Sequence, residues 1–139
     1  FWNFEIFEIV QIFQKKNYLI KIVTNQSGIE RGYFTLYEYT NLCRVIFEKF
    51  NEEGIDLEIR TCPHHPKRNC LCRKPNTGMF LDSRNHNDIM IGDQNSDMLA
   101  AKKSGIRHRW LISKTIKSDN ATKTFESHKH LLEYLDVSY

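Results

Sequence analysis

Apolar positions near the start of the chain recur at Ile6, Ile9, Val10 and Phe13. That spacing predicts an amphipathic helix ending near Lys15-Lys16. Leu19-Ile20-Lys21-Ile22-Val23 is short, β-branched and apolar, as expected of a buried parallel strand, and Thr24 to Gly28 reads as a polar turn after it. Thr35-Leu36-Tyr37-Glu38 has the form of a capping box. The helix it opens carries Tyr39, Leu42, Cys43, Ile46, Phe47 and Phe50 on one face, and Gly54 is placed to stop it. Leu57 to Arg60 predicts a weaker strand that feeds a Cys/His-rich loop. Ile89-Met90-Ile91 predicts another buried strand, leading through Gly92-Asp93 to a helix from about Ser96 to Ser104 that Gly105 closes. Trp110-Leu111-Ile112 reads as the last strand; a polar linker and a helix carrying Leu131, Leu132 and Leu135 complete the chain. Strands alternating with helices predict an α/β domain with a mostly parallel sheet. Ligands bind such sheets at the carboxyl ends of the strands, where the polar segments 24–28, 72–74 and 92–97 are expected to meet.

Length and composition narrow this picture. With 139 residues the chain is expected to form one domain, 1–139, and its 40% hydrophobic and 12% aromatic content is that of an ordinary globular protein. No apolar run reaches the roughly 20 residues that span a bilayer. The net charge of +3 suits a small anionic ligand and falls short of a nucleic-acid footprint. Three of the four cysteines crowd into one loop, which favours metal binding over disulfides and places the protein in a reducing cytoplasm. Neither a cleavable signal nor a lipidation motif is evident. The chain starts at Phe1, without Met, and reads as a fragment.

The densest chemistry runs from Cys62-Pro63-His64 through Cys70-Leu71-Cys72-Arg73-Lys74-Pro75. Cys62, His64, Cys70 and Cys72 form a Cys₃His set suited to tetrahedral Zn²⁺, and four protein ligands leave no open position for a catalytic water. The plain alternative is an accidental cluster of thiols. His65 is expected to stay outside the set, and Cys43 to be a core thiol. Arg73 offers a planar fork and Lys74 a point charge; fixed to a metal-bound loop, the pair is expected to face an anion rather than solvent. Asp93 and Asp97 lie four apart at a strand-to-helix junction. Asp93 is the better Mg²⁺ ligand, while Asp97 either supports it or favours the helix N-terminus electrostatically. Thr24, Asn25, Gln26 and Ser27 follow a strand tip with hydroxyls, amides and backbone N–H groups, which is either a cradle for a phosphoryl oxygen or an ordinary polar turn.

These segments, in this order, resemble the haloacid-dehalogenase (HAD) superfamily of phosphatases, in the branch that holds the heptose-bisphosphate and histidinol-phosphate phosphatases. The matching text is Val23-Thr24-Asn25-Gln26-Ser27-Gly28-Ile29-Glu30-Arg31-Gly32, the Cys62–Pro75 loop with Gly78-Met79, and Ile91-Gly92-Asp93 to Asp97-Met98. The N-Q-S-G-I-x-R-G text favours the heptose enzymes. The resemblance implies a three-layer α/β/α Rossmann-like domain that removes phosphate from a phosphorylated sugar, acting as a monomer without nucleic acid or membrane. It implies Thr24 on the transferring phosphoryl group and Asn25, Gln26, Ser27, Arg73 and Gln94 on substrate. It further implies Lys74 neutralising transition-state charge, Asp93 on Mg²⁺, and a structural Zn²⁺.

Three departures accompany the resemblance. The family's Asp-x-Asp motif, with its nucleophile and general acid/base, has no counterpart, since no Asp precedes Asp56 and none is followed by Asp at the second position. Phe1 to Ile6 correspond to text beyond that motif, so the first, central strand is expected to be missing and the chain by itself to be inactive and poorly stable. Gln94 and Thr77 replace a common Lys and a common Pro, and residues 79–89 are too few for the usual crossover helix. The competing readings are a histidinol-phosphate phosphatase and a non-catalytic, zinc-bearing interaction module.

Overall fold

Asn3 accepts the Glu5 N–H at 3.0 Å and so opens helix α1 (Phe4–Lys15). The structure, a computed structural model, describes residues 3–83 and 86–138. The expected correspondence of Phe1 and Trp2 therefore lies outside the described residues. Helix α1 ends where Asn17 takes φ +67°, with Asn17 N–H bonded to Gln14 and Tyr18 N–H to Phe13. These two bonds satisfy carbonyls that the helix end would otherwise orphan.

Two compact units divide the chain, residues 1–70 and 71–139. In the first, strand β1 (Ile20–Asn25) pairs in parallel with β2 (Leu57–Cys62), Ile20 opposite Leu57 and Asn25 opposite Cys62. Between them come a short helix α2 (Gly28–Arg31) and the long helix α3 (Leu36–Glu52). Both bonds of the predicted capping box are present at Thr35 and Glu38. Gly54 ends α3 at φ +75°, where its N–H reaches Asn51 and that of Ile55 reaches Phe50. Ile55 is thereby folded back onto Phe50 and Phe7, and Ile6, Val10, Ile20, Ile46 and Leu57 pack around this trio. The Phe7 and Phe50 rings meet edge-on at 4.9 Å.

Two expectations for this unit need correction. Strand β1 runs on through Thr24 and Asn25, so these are strand residues and not the start of a turn; α2 begins at Gly28. The buried stripe of α3 is also narrower than its apolar pattern. Tyr39, Cys43, Ile46 and Phe50 lie inward at spacings of four, three and four, whereas Leu42 and Phe47 flank the stripe and are 54% and 41% exposed.

The second unit has a three-stranded parallel sheet, in order β3 (Ile89–Gly92), β4 (His108–Ile112), β5 (Lys123–Phe125). Helix α4 (Asn95–Lys103) connects β3 to β4, and Gly105 ends it at φ +83° with the same pair of closing bonds, to Lys102 and Ala101. Strand β5 overturns the reading of Trp110-Leu111-Ile112 as the last strand. It lies within the supposed polar linker, pairs with β4, and buries only Phe125. Helix α5 (His128–Ser138) then buries Leu131 and Leu135. Trp110, Phe125 and Tyr134 form an aromatic triangle with centroids 5.3–6.0 Å apart. Among the described residues of 79–89 there is a 3-10 turn ending at Phe80 and no crossover helix, as expected. No described helix is long and apolar enough to cross a membrane. The mixed α/β architecture with parallel sheets is as predicted.

Candidate active site

In the first unit the polar residues sit at the carboxyl end of β1. The Gln26 N–H donates to the Cys62 carbonyl at 2.7 Å, extending the β1–β2 ladder one residue past the strand. Gln26 Nε2 donates to Thr24 Oγ1 at 2.9 Å, and Arg31 Nε donates to Ser27 Oγ at 3.1 Å. Each hydroxyl is thus held as an acceptor, which turns its own proton toward other partners. Thr61, opposite Thr24, shares a 2.6 Å hydrogen bond with the half-buried hydroxyl of Tyr39. Burial pushes the Tyr39 phenol upward, opposed by that bond.

The predicted metal set is gathered. One ligand atom from each of Cys62, His64, Cys70 and Cys72 lies within 4.8 Å of the others, and none of the four cysteines is in a disulfide. Cys62 Sγ is 3.5 Å from both His64 Nδ1 and Cys70 Sγ. A zinc–thiolate tetrahedron with bonds of about 2.3 Å has edges of roughly 3.7 Å, so the donor set and its spacing fit Zn²⁺. His65 is outside the group. Its Nδ1 accepts the Lys67 N–H at 3.0 Å and caps a 3-10 turn, Pro66–Arg68.

Sequence reasoning missed the residue that fastens this turn. Glu30, on α2, accepts the His65 N–H at 2.5 Å and also the Arg68 guanidinium. The His65 N–H, followed by Arg68, holds the Glu30 carboxyl below its ordinary value, against an opposing pull from desolvation. Its partners lie 35 and 38 residues away, so no local pattern could have announced it.

In the second unit the loop after Cys72 closes on itself through Gly78. Gly78 N–H donates to the Leu71 carbonyl at 2.8 Å, and a Cβ at Gly78 would stand 2.6 Å from that oxygen and 2.8 Å from Cys72 Cα. Only glycine allows this approach. Lys74 Nζ meets Asp97 Oδ1 at 2.5 Å, with both side chains nearly buried at 10% and 7% exposure. Asp97 Oδ2 accepts the N–H groups of Asp93 and Gln94 at 3.2 and 3.1 Å. Asp97 therefore caps α4 and also locks the lysine to the turn that carries Asp93. Gly92 makes room for it, since a Cβ there would fall 2.6 Å from Asp97 Oδ2. Asp93 and Gln94, just past β3, are exposed. The Arg73 Nη1 is buried and has no hydrogen-bond partner among the described residues. A buried guanidinium nitrogen in that state is able to donate to a further acceptor.

Comparisons with known proteins identify the family. The sequence profile of the polynucleotide kinase 3 phosphatase family matches residues 1–109. The chain is 35% identical over 136 residues to the D-glycero-alpha-D-manno-heptose-1,7-bisphosphate 7-phosphatase of Campylobacter jejuni, covering 93% of this chain and 78% of that one. It is 36% identical to the D-glycero-beta-D-manno-heptose-1,7-bisphosphate 7-phosphatase of Vibrio cholerae, covering 77% of this chain and 65% of that relative's length. A crystal structure of the D,D-heptose 1,7-bisphosphate phosphatase from B. bronchiseptica, complexed with magnesium and phosphate, superposes with a TM-score of 0.77. That likeness covers 96% of this chain and 82% of the other at 24% identity, and it speaks to the fold alone. At these identities and coverages the chain belongs to the heptose-1,7-bisphosphate 7-phosphatase branch of the HAD phosphatases, a family of hydrolases.

Proposed function

We propose that this chain carries the phosphate-handling residues of an enzyme that removes the C7 phosphate of D-glycero-D-manno-heptose 1,7-bisphosphate. The observation that carries the reading is the buried Arg73 Nη1, which has no hydrogen-bond partner among the described residues, next in sequence to a lysine that Asp97 anchors. In this reading Arg73 grips substrate, and Lys74 neutralises charge that grows on the phosphoryl oxygens. Thr24, whose oxygen already accepts from Gln26, donates its hydroxyl proton to a phosphoryl oxygen. Asn25, Gln26, Ser27 and Gln94 line the sugar.

Asp93 is the Mg²⁺ ligand of this chain. It is exposed at the end of β3, and Mg²⁺ takes as few as one or two carboxylates while keeping several waters. When bound, the ion offsets negative charge at the phosphorus. Asp97 supports the site by pinning the Asp93 backbone. Zn²⁺ on Cys62, His64, Cys70 and Cys72 is structural, and it fixes where the following Arg73 and Lys74 emerge. Cysteines held as thiols rather than disulfides suit the cytoplasm, where we place the protein as a monomer acting on a small phosphorylated sugar in carbohydrate metabolism.

These residues contain no Asp-x-Asp, and hydrolysis by this mechanism needs a carboxylate nucleophile. The 139-residue chain by itself is therefore expected to bind the bisphosphate in the presence of Mg²⁺ without releasing phosphate. Titration calorimetry and a phosphate-release assay check both halves. Turnover well above background overturns the second half. Equal binding by wild type and Arg73→Ala overturns the first, and tighter binding of histidinol phosphate transfers the assignment to the alternative enzyme.

A further inference from the structure

Tyr39 has no role in the reading above, yet this buried side chain of α3 reaches two supports of the Thr24–Ser27 segment. The first is Thr61, whose Oγ1 shares a 2.6 Å hydrogen bond with the Tyr39 hydroxyl. Thr61 pairs with Thr24 in register, and partners in adjacent parallel strands stand about 4.8 Å apart with their side chains on one face. The face that α3 covers at Thr61 is therefore the face from which the Thr24 side chain projects. Holding Oγ1 also fixes the χ1 rotamer of Thr61, and with it the surface that Thr61 presents to Thr24.

The second support is Phe34. Its ring and that of Tyr39 have centroids 6.2 Å apart and planes tilted by 34°. Phe34 in turn lies on Gly28, where a Cβ would overlap Phe34 Cε1 and stand 2.9 Å from Cζ. Gly28 directly follows Ser27 and opens α2, and its carbonyl accepts the Tyr33 N–H at 2.9 Å. One side chain thus backs both ends of the segment, Thr24 and Gly28, while Gln26 between them donates to Thr24 Oγ1 at 2.9 Å. The core trio Phe7, Phe50 and Ile55 lies at the other end of these strands, around Ile20 and Leu57. Packing alone would not call for a hydroxyl at Tyr39.

We propose that Tyr39 is the positioning residue of the Thr24–Ser27 segment: through Thr61 it fixes the Thr24 hydroxyl, and through Phe34 it fixes the backbone at Gly28. The inference rests on the reading of that segment as a phosphate contact. It also yields a distinct signature. The Tyr39 hydroxyl acts through Thr61 and does not itself meet the ligand, so its loss loosens the segment without deleting a contact to phosphate.

Titration calorimetry of the 139-residue chain, loaded with Zn²⁺ and Mg²⁺, with heptose 1,7-bisphosphate tests this brace alongside NMR of the Gln26 side-chain amide. Tyr39→Phe keeps the ring and Thr61→Val keeps the shape. Each is expected to weaken binding about threefold to tenfold, the factor that one neutral hydrogen bond is worth, and to shift the Gln26 Nε2 resonances. The double variant should lose no more than either single one, because both remove the same bond. Thr61→Ser retains the hydroxyl and is expected to show wild-type affinity and resonances. Val10→Ala, in the core at the far end of the strands, is expected to lower the melting temperature with affinity and resonances intact, which separates positioning from stability. Wild-type affinity or unshifted Gln26 resonances in Tyr39→Phe, or an equal loss of affinity in Val10→Ala, overturns the brace while the phosphatase reading stands. If the wild-type chain binds no bisphosphate, that reading falls and the brace with it.

Discussion

Severing the Lys74–Asp97 pair gives a sharp test of how the second unit is built. At an effective dielectric constant near 20, unit charges about 4 Å apart attract by roughly 4 kcal/mol, and these two groups are closer and almost fully buried. Desolvation offsets much of that in the intact pair, but removing one partner leaves the other charge uncompensated, at a cost of about 3–5 kcal/mol. Lys74→Met removes the ion pair while leaving the Asp97 cap in place, and a loss of about 3 kcal/mol is expected. Asp97→Ala also takes the acceptor from the Asp93 and Gln94 N–H groups, which adds about 1–2 kcal/mol. The double variant buries no orphaned charge, so its loss should fall short of the sum by about 2–3 kcal/mol. Urea unfolding with Zn²⁺ saturating measures all four corners of the cycle. Should Asp97→Ala fail to fold, Asp97→Asn, which keeps an acceptor for the two N–H groups, completes the same cycle. Amide resonances of Asp93 and Gln94 should shift strongly in the Asp97 variants and weakly in Lys74→Met. A coupling below about 0.5 kcal/mol would mean that solvent screens the pair, and the picture of Asp97 as a locking residue would be wrong.

The remaining expectations concern the metal loop. Gly78→Ala drives a methyl group into the backbone at Leu71 and Cys72, so a loss of about 1–3 kcal/mol is expected together with weaker Zn²⁺ retention. Competition with a chromophoric chelator reads the retention, and unchanged affinity would show that the loop yields freely. For Glu30 the sign follows from its depressed pKa: its contribution is complete above the ordinary value of 4.5 and disappears as pH falls through the lower folded value. The melting-temperature gap between wild type and Glu30→Gln should stay constant from neutral pH downward and close only below about pH 4.5. A gap that closes well above pH 4.5 would show that Glu30 is not the group responsible.

What could be read in advance follows the range of the interaction concerned. The capping box at Thr35 and the glycine stops at Gly54 and Gly105 involve bonds spanning three to five residues, and the structure contains them as expected. The Cys/His set was equally visible because its members fall within one loop. Strand β5 was not, since three residues with one buried side chain carry no period to detect; pairing with β4 makes it a strand. Leu42 and Phe47 misled because apolar character records what a face tolerates and not which part of it is covered. Asp97 was legible as a cap but not as the partner of Lys74, 23 residues distant, and a similar separation in sequence hid Tyr39 and its tie to Thr61.

One bond in the first unit links two functions that are usually kept apart. Gln26 donates its N–H to the carbonyl of Cys62, a member of the metal set, while its side chain orients Thr24. An ion bound to that set would in this way set how stiffly the end of β1 is held. On the proposed reading, trace-metal supply would then govern how firmly phosphate is held, through a single amide and with no change in any residue that touches it.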